Sequence, residues 1–299
     1  MKDVAGKVAF ITGGAGGIGF AMAQVLARAG MRVVIADLRG GVLAEALARL
    51  RAESLAAHAI ELDVTDRAAM ARAADEAERV LGPVQVVCNN AGVNFFAPVD
   101  ESTYQDWDWL LGVNLGGVVN GVQTFVPRIK ALGQGGHVVN TASMAAFIAS
   151  PNAGIYTASK FAVRGLTESL RWSLAPLGIG VSMLCPGLVN TQIHRSAEIR
   201  PAHLAQQPGR QDPGVLARVA ELQPSGMDPL EVAARVLQGI RNNDLYIFPH
   251  GEFREELQEI FGEVLGALPA EGGAADPRRL AFEARRRENL RKAKQTTRH

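Results

Sequence analysis

The chain has 299 residues, a formal net charge of +1 and a hydrophobic content of 47%. This length and apolar content suffice for one large α/β domain with a sizeable core. The near-neutral charge argues against a protein-wide surface for nucleic acid or an anionic membrane, and no stretch approaches the ~18 apolar residues of a transmembrane helix.

Cysteine usage and the N-terminus predict a cytoplasmic protein. Cys88 and Cys185 each lie in or beside an apolar run. We therefore expect two buried thiols, with no disulfide framework and no metal site. A reducing setting fits that usage, and no secretory leader pattern precedes the first apolar run.

Strand and helix signals alternate along the first two-thirds of the chain. Alanine-rich helical stretches separate short apolar runs, and residue 66 is an aspartate placed to cap one of these helices. The runs predict buried parallel strands at 8–12, 32–36, 57–62, 84–88, 136–141 and 180–185. The helical stretches include 17–29, 42–52 and 67–81. This alternation predicts an α/β fold with a doubly wound, Rossmann-type parallel sheet.

After residue 185 the pattern changes. Residues 192–226 are rich in Pro, Gly, Gln, Arg and His with weak periodicity, which predicts a substrate lid. A helix at 230–241, a short strand at 245–248 and a helix at about 251–267 follow, then a linker at 271–277. We expect one domain over 1–268 and a linker with a basic, helix-prone tail over 269–299. That tail is a solvated or subunit-docking helix, or a surface for an acidic partner or nucleic acid; the near-neutral charge favours the first.

A glycine-rich loop follows the first strand directly. Residues 12–19 read T-G-G-A-G-G-I-G, with Gly13, Gly17 and Gly19 in the spacing G-x-x-x-G-x-G. Glycine lets backbone amides approach a pyrophosphate, and the next helix presents its N-terminal N–H groups to the same anion. An ordinary strand–helix turn is the alternative, but the strand before and the helix after favour a dinucleotide site.

A carboxylate at the end of the second strand bears on the choice of cofactor. Asp37 can bind both adenosine ribose hydroxyls and repel a 2′-phosphate, which favours NAD over NADP. Binding of NADP stays an alternative, because the side chain of Arg39 can reach a 2′-phosphate. Asp63 and Val64 follow the third strand; Asp63 either contacts adenine or forms a helix-entry turn.

Tyr156 and Lys160 are four residues apart, so a helix places both on one face. A tyrosine has a pKa of about 10 and is a poor base at neutral pH, but a nearby ammonium lowers that pKa. Tyr156 can then exchange a proton with an alcohol or carbonyl. Such pairs are common on ordinary helices, so this pair needs support from elsewhere in the chain.

Two polar residues supply that support. Ser143 follows the fifth strand, thirteen residues before Tyr156, where a hydroxyl faces the ligand crevice and can hydrogen-bond the substrate oxygen. Asn114 lies in an otherwise helical stretch. It either holds water that links Lys160 to solvent or marks a helix irregularity with a satisfied amide.

These motifs together resemble the short-chain dehydrogenase/reductase family of the single-domain type. The matching segments are the loop at 12–19, N-N-A-G at 89–92, Asn114, Ser143, Y-x-x-x-K at 156–160 and P-G-L-V-N-T at 186–191. The resemblance implies that Asn90 supports the central strand, that Lys160 binds the nicotinamide ribose and that 186–191 cradle the nicotinamide, with Thr191 near its carboxamide. It also implies a homodimer or homotetramer. We therefore expect cofactor contacts from Gly13, Gly17, Ile18, Gly19, Asp37, Asp63, Val64, Asn90, Gly92, Tyr156, Lys160, Pro186, Gly187, Val189 and Thr191.

Several stretches are similar to the Cα-dehydrogenases of bacterial lignin β-aryl ether catabolism. They include A-G-V-N-F-F-A-P, T-Y-Q-D-W-D-W and L-Y-I-F-P-H-G-E-F-R-E. The resemblance implies NAD-linked oxidation of a bulky benzylic secondary alcohol to a ketone. The alternatives are a carbonyl reductase for another hydrophobic ketone and a non-catalytic dinucleotide sensor on the same fold.

Apolar side chains near the expected crevice are the candidates for the substrate pocket. They are Phe95, Phe96, Met144, Phe147, Ile148, Leu188 and Ile193. An apolar, partly aromatic lining suits a hydrophobic aromatic alcohol or ketone. Each of these side chains is equally consistent with an ordinary place in the core.

Overall fold

Short apolar segments form one parallel sheet in the computed structural model, which describes residues 1–204, 211–269 and 276–296, with side chains up to residue 292. Seven strands pair in the order β3-β2-β1-β4-β5-β6-β7 among the described residues. The strands are β1 (Val8–Thr12), β2 (Arg32–Asp37), β3 (Ala57–Glu61), β4 (Val84–Asn89), β5 (Gly136–Thr141), β6 (Ile179–Leu184) and β7 (Tyr246–Ile247). The predicted strands are confirmed to within one or two residues at each end, and the doubly wound parallel sheet is confirmed.

Helices connect the strands, and several begin where the sequence supplies a cap. Asp66 Oδ1 accepts hydrogen bonds from the backbone N–H groups of Ala68 and Ala69, which confirms the predicted start of α3. The helices are α1 (Gly17–Arg28), α2 (Gly40–Ala52), α3 (Arg67–Leu81), α4 (Tyr104–Leu111), α5 (Gly117–Leu132), α6 (Gly154–Leu174), α7 (Pro213–Leu222), α8 (Pro229–Asn242), α9 (Arg254–Gly266) and α10 (Pro277–Thr296). None of the helices in these ranges is long and apolar enough to span a membrane.

Helix α7 corrects the expectation of an irregular segment over 192–226. Asp212 Oδ1 accepts from the N–H groups of Gly214 and Val215, and Pro213 occupies the first turn. These are ordinary helix-start signals that the weak apolar periodicity concealed. Parts of the predicted lid (205–210), linker (271–275) and tail (297–299) lie outside the described residues.

The continuous apolar runs are explained by burial on both faces of the sheet. In β1, Val8 and Phe10 belong to the core beneath α3, α5 and α6, whereas Ala9 and Ile11 belong to the core beneath α1, α2 and α8. Successive side chains of a strand point to opposite faces, so a strand covered on both sides needs apolar residues throughout.

A buried chain of polar side chains joins the middle of the sheet to α6. Asn89 Nδ2 donates to Asn140 Oδ1 at 2.9 Å, and Asn140 Nδ2 donates to Thr167 Oγ1 at 3.0 Å. Thr167 lies on the helix that carries Tyr156 and Lys160. These bonds restrict how α6 sits on the sheet, because buried polar groups must keep their partners.

His137 on β5 predicts acid sensitivity of the fold. Its Nε2 lies 2.8 Å from Ser182 Oγ, and burial lowers its pKa from 6.5 to about 3. Between these two values the unfolded chain binds a proton that the folded chain does not bind, so stability falls as the pH falls, by about 1.4 kcal/mol per pH unit. We expect His137→Gln to remove this part of the pH dependence in urea unfolding between pH 5 and 7.

The control is His58→Gln, because His58 lies at the surface beside Glu76. The prediction would be contradicted if the free energy of unfolding changed with pH equally in wild type and His137→Gln, while its pH dependence changed in His58→Gln.

Candidate active site

A cavity of about 570 Å³ opens along the C-terminal ends of the strands. It lies where the sheet order reverses between β1 and β4, which is the usual ligand crevice of such sheets. The predicted site residues on its wall are Gly13, Gly17, Ile18, Asp37, Asp63, Val64, Asn90, Gly92, Tyr156, Lys160, Pro186, Thr191 and Ile193. The structure thus brings segments far apart in the sequence to one cavity.

The glycine-rich loop forms one end of the cavity, and its glycines serve different purposes. Gly13 and Gly17 have φ angles of +65° and +49°, a region that side chains disfavour. Gly19 does not line the cavity; a Cβ there would lie 2.0 Å from the carbonyl oxygen of Gly13. Gly19 therefore lets the start of α1 pack against the loop, whereas Gly13 and Gly17 provide its backbone turns.

Asp37 lies beside this loop at the end of β2. Its Oδ2 accepts a hydrogen bond of 3.1 Å from the N–H of Ala15, inside the loop. Arg39 Nε is 4.0 Å from Asp37 Oδ1, and the Arg39 side chain is about half exposed. Asp37 consequently supports the loop and places a negative charge on the cavity wall.

Asp63 takes part in the local turn that was one of its two interpretations. Its Oδ1 accepts from the N–H and the hydroxyl of Thr65, at 2.8 and 2.7 Å. Asp63 and Val64 both line the cavity, so the second interpretation, a contact with adenine, stays a prediction.

Asn90 ties the ends of the central strands together. Its Nδ2 donates to the carbonyl oxygen of Thr12 at 3.1 Å, and its Oδ1 accepts from Thr141 Oγ1 at 3.1 Å. Thr12 Oγ1 in turn accepts from the N–H groups of Asn90 and Ala91. Sequence reasoning missed Thr12, although it directly precedes the glycine loop.

Tyr156 and Lys160 line the other end of the cavity, and Ser143 lies beside Tyr156 without lining the cavity itself. Ser143 lies near enough to the hydroxyl of Tyr156 to act on its pKa by hydrogen bonding. The Oγ of Ser143 accepts from the N–H of Ala145 at 3.1 Å and lies 3.4 Å from the carbonyl oxygen of Pro186. The Nζ of Lys160 lies 5.4 Å from the centre of the Tyr156 ring and donates to the carbonyl oxygen of Thr141 at 3.0 Å. Tyr156 therefore lies near both Lys160 and Ser143.

Burial sets the proton affinities of this group. It raises the pKa of Tyr156 above the usual 10, while the hydrogen bond with Ser143 acts in the opposite direction. It lowers the pKa of Lys160 from 10.5 to about 8. The chain's own groups thus favour the neutral phenol, and the lowering of the pKa of Tyr156 by the Lys160 ammonium together with the oxidised nicotinamide stays a prediction. Removal of the hydroxyl from water is the larger effect.

Asn114 lies in a π-helical turn, Gly112–Gly116, between α4 and α5. Its side chain accepts from the N–H of Val93 at 2.8 Å and donates to the carbonyl oxygen of Val93 at 3.0 Å and to Ser159 Oγ at 3.1 Å. Ser159 Oγ donates to the carbonyl oxygen of Tyr156. The amide therefore joins the chain after β4 to α6, and the helix irregularity is present. The water relay stays a prediction.

Two of the four predicted cofactor contacts in the nicotinamide cradle, Gly187 and Val189, do not line the cavity. The N–H of Gly187 donates to His250 Nδ1 at 3.1 Å, and a Cβ at Gly187 would lie 2.6 Å from the Phe253 ring. Val189 is buried in the core, and its carbonyl oxygen accepts from Gln223 Nε2. Tertiary packing after β6 turns both away, while Pro186 and Thr191 line the cavity.

Most of the predicted substrate-pocket residues lie elsewhere. Phe95, Met144 and Phe147 are buried in hydrophobic clusters, Leu188 is 40% exposed, and none of these four lines the cavity; Ile193 does. Phe147 packs against Phe248 and beneath the guanidinium of Arg164. Phe96 and Ile148 also lie off the cavity wall. Residue type showed that these side chains are apolar but not which surface they face.

Sequence reasoning missed the apolar wall that the structure does present near Tyr156. Its members are Val93, Trp109, Val113, Ile199 and Leu204. Trp109 had a usable signal, since it lies one turn and a half before Asn114 on the same helical stretch. Ile199 and Leu204 lie in a segment without apolar periodicity, so no local pattern indicated them.

Comparisons with known proteins agree with this geometry. The family described as short chain dehydrogenase matches residues 7–201. A C alpha-dehydrogenase from Sphingobium sp. strain SYK-6 is 41% identical over 269 residues, covering 90% of this chain and 88% of that protein. The solved apo form of LigO from the same strain has a TM-score of 0.78 and 42% identity, covering 97% of this chain and 98% of that one. A short-chain dehydrogenase/reductase from Burkholderia phymatum, solved in complex with NAD, has a TM-score of 0.86 and 34% identity, covering 92% and 100%.

The packing of Gly19 predicts a sharp loss of dinucleotide binding in Gly19→Ala. The added methyl group must displace the Gly13 carbonyl, and overpacking of this kind costs about 1–3 kcal/mol, so we expect the Kd for a nicotinamide dinucleotide to rise about fivefold or more. Gly165→Ala is the matched control, because a Cβ there meets nothing within 4 Å. Calorimetric titration of folded protein measures both; equal affinities in the two variants would contradict the prediction.

Proposed function

Because this chain belongs to the short-chain dehydrogenase family and is an oxidoreductase acting on CH–OH groups, we propose that it oxidises a bulky benzylic secondary alcohol to the ketone with NAD. The reaction is reversible. The observation that carries the proposal is the presence of Tyr156 and Lys160, with Ser143 beside Tyr156, at the apolar end of a cavity whose other end is the glycine loop.

The aromatic substrate class rests on two lines of support. The apolar wall, with Trp109 and Val113 beside Tyr156, suits an aryl group better than a polar one. The 41% identical relative is a C alpha-dehydrogenase, and the enzymes of that kind which the sequence resembles act on benzylic alcohols.

The residues present fit a nicotinamide dinucleotide. A side chain at Gly13 or Gly17 would be strained, and the open backbone there suits a pyrophosphate at the start of α1. Asp37 would hold the adenosine ribose hydroxyls, and its charge favours NAD over NADP. Lys160 would bind the nicotinamide ribose, with Thr191 near the carboxamide. When bound, the oxidised cofactor accepts the hydride from the carbinol carbon and adds positive charge.

Tyr156 acts as the general base for the alcohol proton in this proposal. Its raised pKa means that the phenolate needs added positive charge nearby, and Lys160, with a pKa of about 8, is mostly an ammonium at neutral pH. Ser143 orients the substrate oxygen by a hydrogen bond. Asn114 holds the water that returns the proton to solvent. The homodimer or homotetramer and the cytoplasmic location stay predictions from the sequence.

The test is NADH formation, followed by absorbance, with purified protein, NAD and a panel of benzylic and aliphatic secondary alcohols. We expect turnover that is fastest with bulky benzylic alcohols. Tyr156→Phe should lower kcat by at least ~100-fold, because the proton acceptor is lost, while its Kd for NAD changes little.

Reduction of other ketones without benzylic oxidation would favour the carbonyl reductase alternative. NAD binding with no turnover of any substrate would favour the sensor alternative. Near-normal rates in Tyr156→Phe would refute the role of that hydroxyl.

The two roles of Asp37 can be separated by two substitutions. Asp37→Asn keeps an oxygen that can accept from Ala15 but removes the charge, whereas Asp37→Ala removes both. We expect both variants to raise the preference for NADP relative to NAD by about tenfold, since like-charge repulsion is lost. Asp37→Ala should also weaken NAD further than Asp37→Asn. An unchanged ratio of kcat/KM for NAD and NADP would rule out Asp37 as the selector.

A further inference from the structure

One wall of the cavity near Tyr156 is formed by a single segment, residues 192–204, which is here called the lid segment. It contains the 3₁₀ turns Ile193–Ile199 and Ala202–Leu204. Ile193, Ile199 and Leu204 line the cavity from this side. The position of these side chains depends on how the lid segment is attached to the rest of the protein.

Its first attachment is a buried serine. Ser196 is 5% exposed, its Oγ accepts from the N–H of Asn94 at 3.0 Å, and it donates to the carbonyl oxygen of Ile193. This bond joins the lid segment to the chain after β4. It leaves the second half of the segment to be held by other contacts.

The second attachment is a buried ion pair. Arg200 Nη1 lies 2.5 Å from Asp106 Oδ1, across 94 residues of sequence, and the two side chains are 5% and 0% exposed. Asp106 is held in turn, because its Oδ2 accepts from the N–H and the hydroxyl of Thr103 at 2.7 Å each. Arg200 Nε donates to the carbonyl oxygen of Leu204. One arginine thus joins α4 to both turns of the lid segment.

The same guanidinium packs against the aromatic wall. Its Cζ lies 5.0 Å from the ring centre of Trp109 and 5.7 Å from that of Phe95. Trp109 lines the cavity, whereas Phe95 and Arg200 do not. Arg200 therefore contacts Trp109 from outside the cavity, at a distance where a cation and an aromatic ring attract each other.

A second ion pair of the lid segment differs from the Asp106–Arg200 pair in both its exposure and the separation of its partners in the sequence. Arg195 and Glu198 are three residues apart, and each side chain is 56% exposed. Pairs of that kind contribute little to stability, whereas a buried pair requires good geometry on both sides to offset its desolvation. The Asp106–Arg200 pair is bonded through Nη1 and Nε of Arg200 and through both carboxylate oxygens of Asp106, whereas Nη2 of Arg200 has no hydrogen-bond partner among the described residues. A buried pair held at these four atoms is suited to define one position of the segment.

We propose that Arg200 is a positioning residue for substrate specificity. Through Asp106 it holds the lid segment against α4, and through the ring contact it holds Trp109 as the aromatic wall beside Tyr156. This inference rests on the proposed function for its substrate class. The alcohol is selected by a wall whose shape is set by an ion pair that the substrate does not touch.

The test uses the double variant Asp106→Asn with Arg200→Met, which removes both charges and leaves no unpaired buried ion. The Asn oxygen can still accept from Thr103. We expect the ratio of kcat/KM for a bulky diaryl benzylic alcohol over that for a small benzylic alcohol to fall about tenfold. We expect the KM for NAD to stay within twofold. Arg200→Lys, which keeps the charge but not the planar group, should fall between the double variant and wild type.

A second measurement does not depend on turnover. Amide hydrogen exchange of residues 193–204 should be about tenfold faster in the double variant, because local opening becomes easier. The control is Arg128→Met, since Arg128 pairs with Asp75 and Glu78 away from the cavity and is 30% exposed. It should lower Tm without changing the exchange of the lid segment or the substrate ratio.

The outcomes separate this inference from the proposed function. If wild type oxidises none of the alcohols, the proposed function fails, while the exchange experiment still tests the attachment of the lid segment. Unchanged exchange in a folded double variant overturns the attachment. Faster exchange with an unchanged substrate ratio overturns the role in specificity. An equal change in Arg128→Met shows that a loss of overall stability is sufficient, which also overturns the proposal.

Discussion

The site depends on a buried ammonium group at the carboxyl edge of the sheet. Lys160 is 3% exposed, and its Nζ donates to the carbonyl oxygen of Thr141, the last residue of β5. Such a group is costly to bury without a partner, so α6 must lie where this carbonyl is within reach. That placement brings Tyr156 to Ser143 and sets the proton affinities of both titrating groups. The polar chain from Asn89 to Thr167 supports the same helix further along.

Close packing of small groups shapes the other end of the cavity. Asn90 reaches from the end of β1 to the end of β5, and Gly19 lets α1 approach the loop that precedes it. Asp37 belongs both to the loop, through Ala15, and to the cavity wall. Residues that resemble simple ligand contacts in the sequence therefore also hold the backbone in place. A substitution at one of them changes both binding and local structure.

Local signals predicted much of this protein and failed at identifiable places. Strands were predictable because a sheet covered on both faces needs unbroken apolar runs, and α3 because Asp66 caps it. Phe95 and Phe147 are apolar and follow strands, which predicts a place in the pocket, but both side chains turn into the core. The prediction that Gly187 and Val189 line the cavity failed for a similar reason, because contacts with His250 and Gln223 turn these residues away from it. The ion pair of Asp106 with Arg200 had no local signal, because 94 residues separate its partners.

The sequence by itself determined the class of fold and the family, and it predicted the four polar residues Asn114, Ser143, Tyr156 and Lys160 as the catalytic group. Tyr156 and Lys160 depend on short-range spacing, which a helix turn converts directly into proximity, and Ser143 depends on its place at a strand end. Only the tertiary structure decided which apolar side chains face the cavity and which cover the core. It also decided that burial raises the pKa of Tyr156. Both depend on what surrounds a side chain in space, and that environment comes from segments far away in the chain.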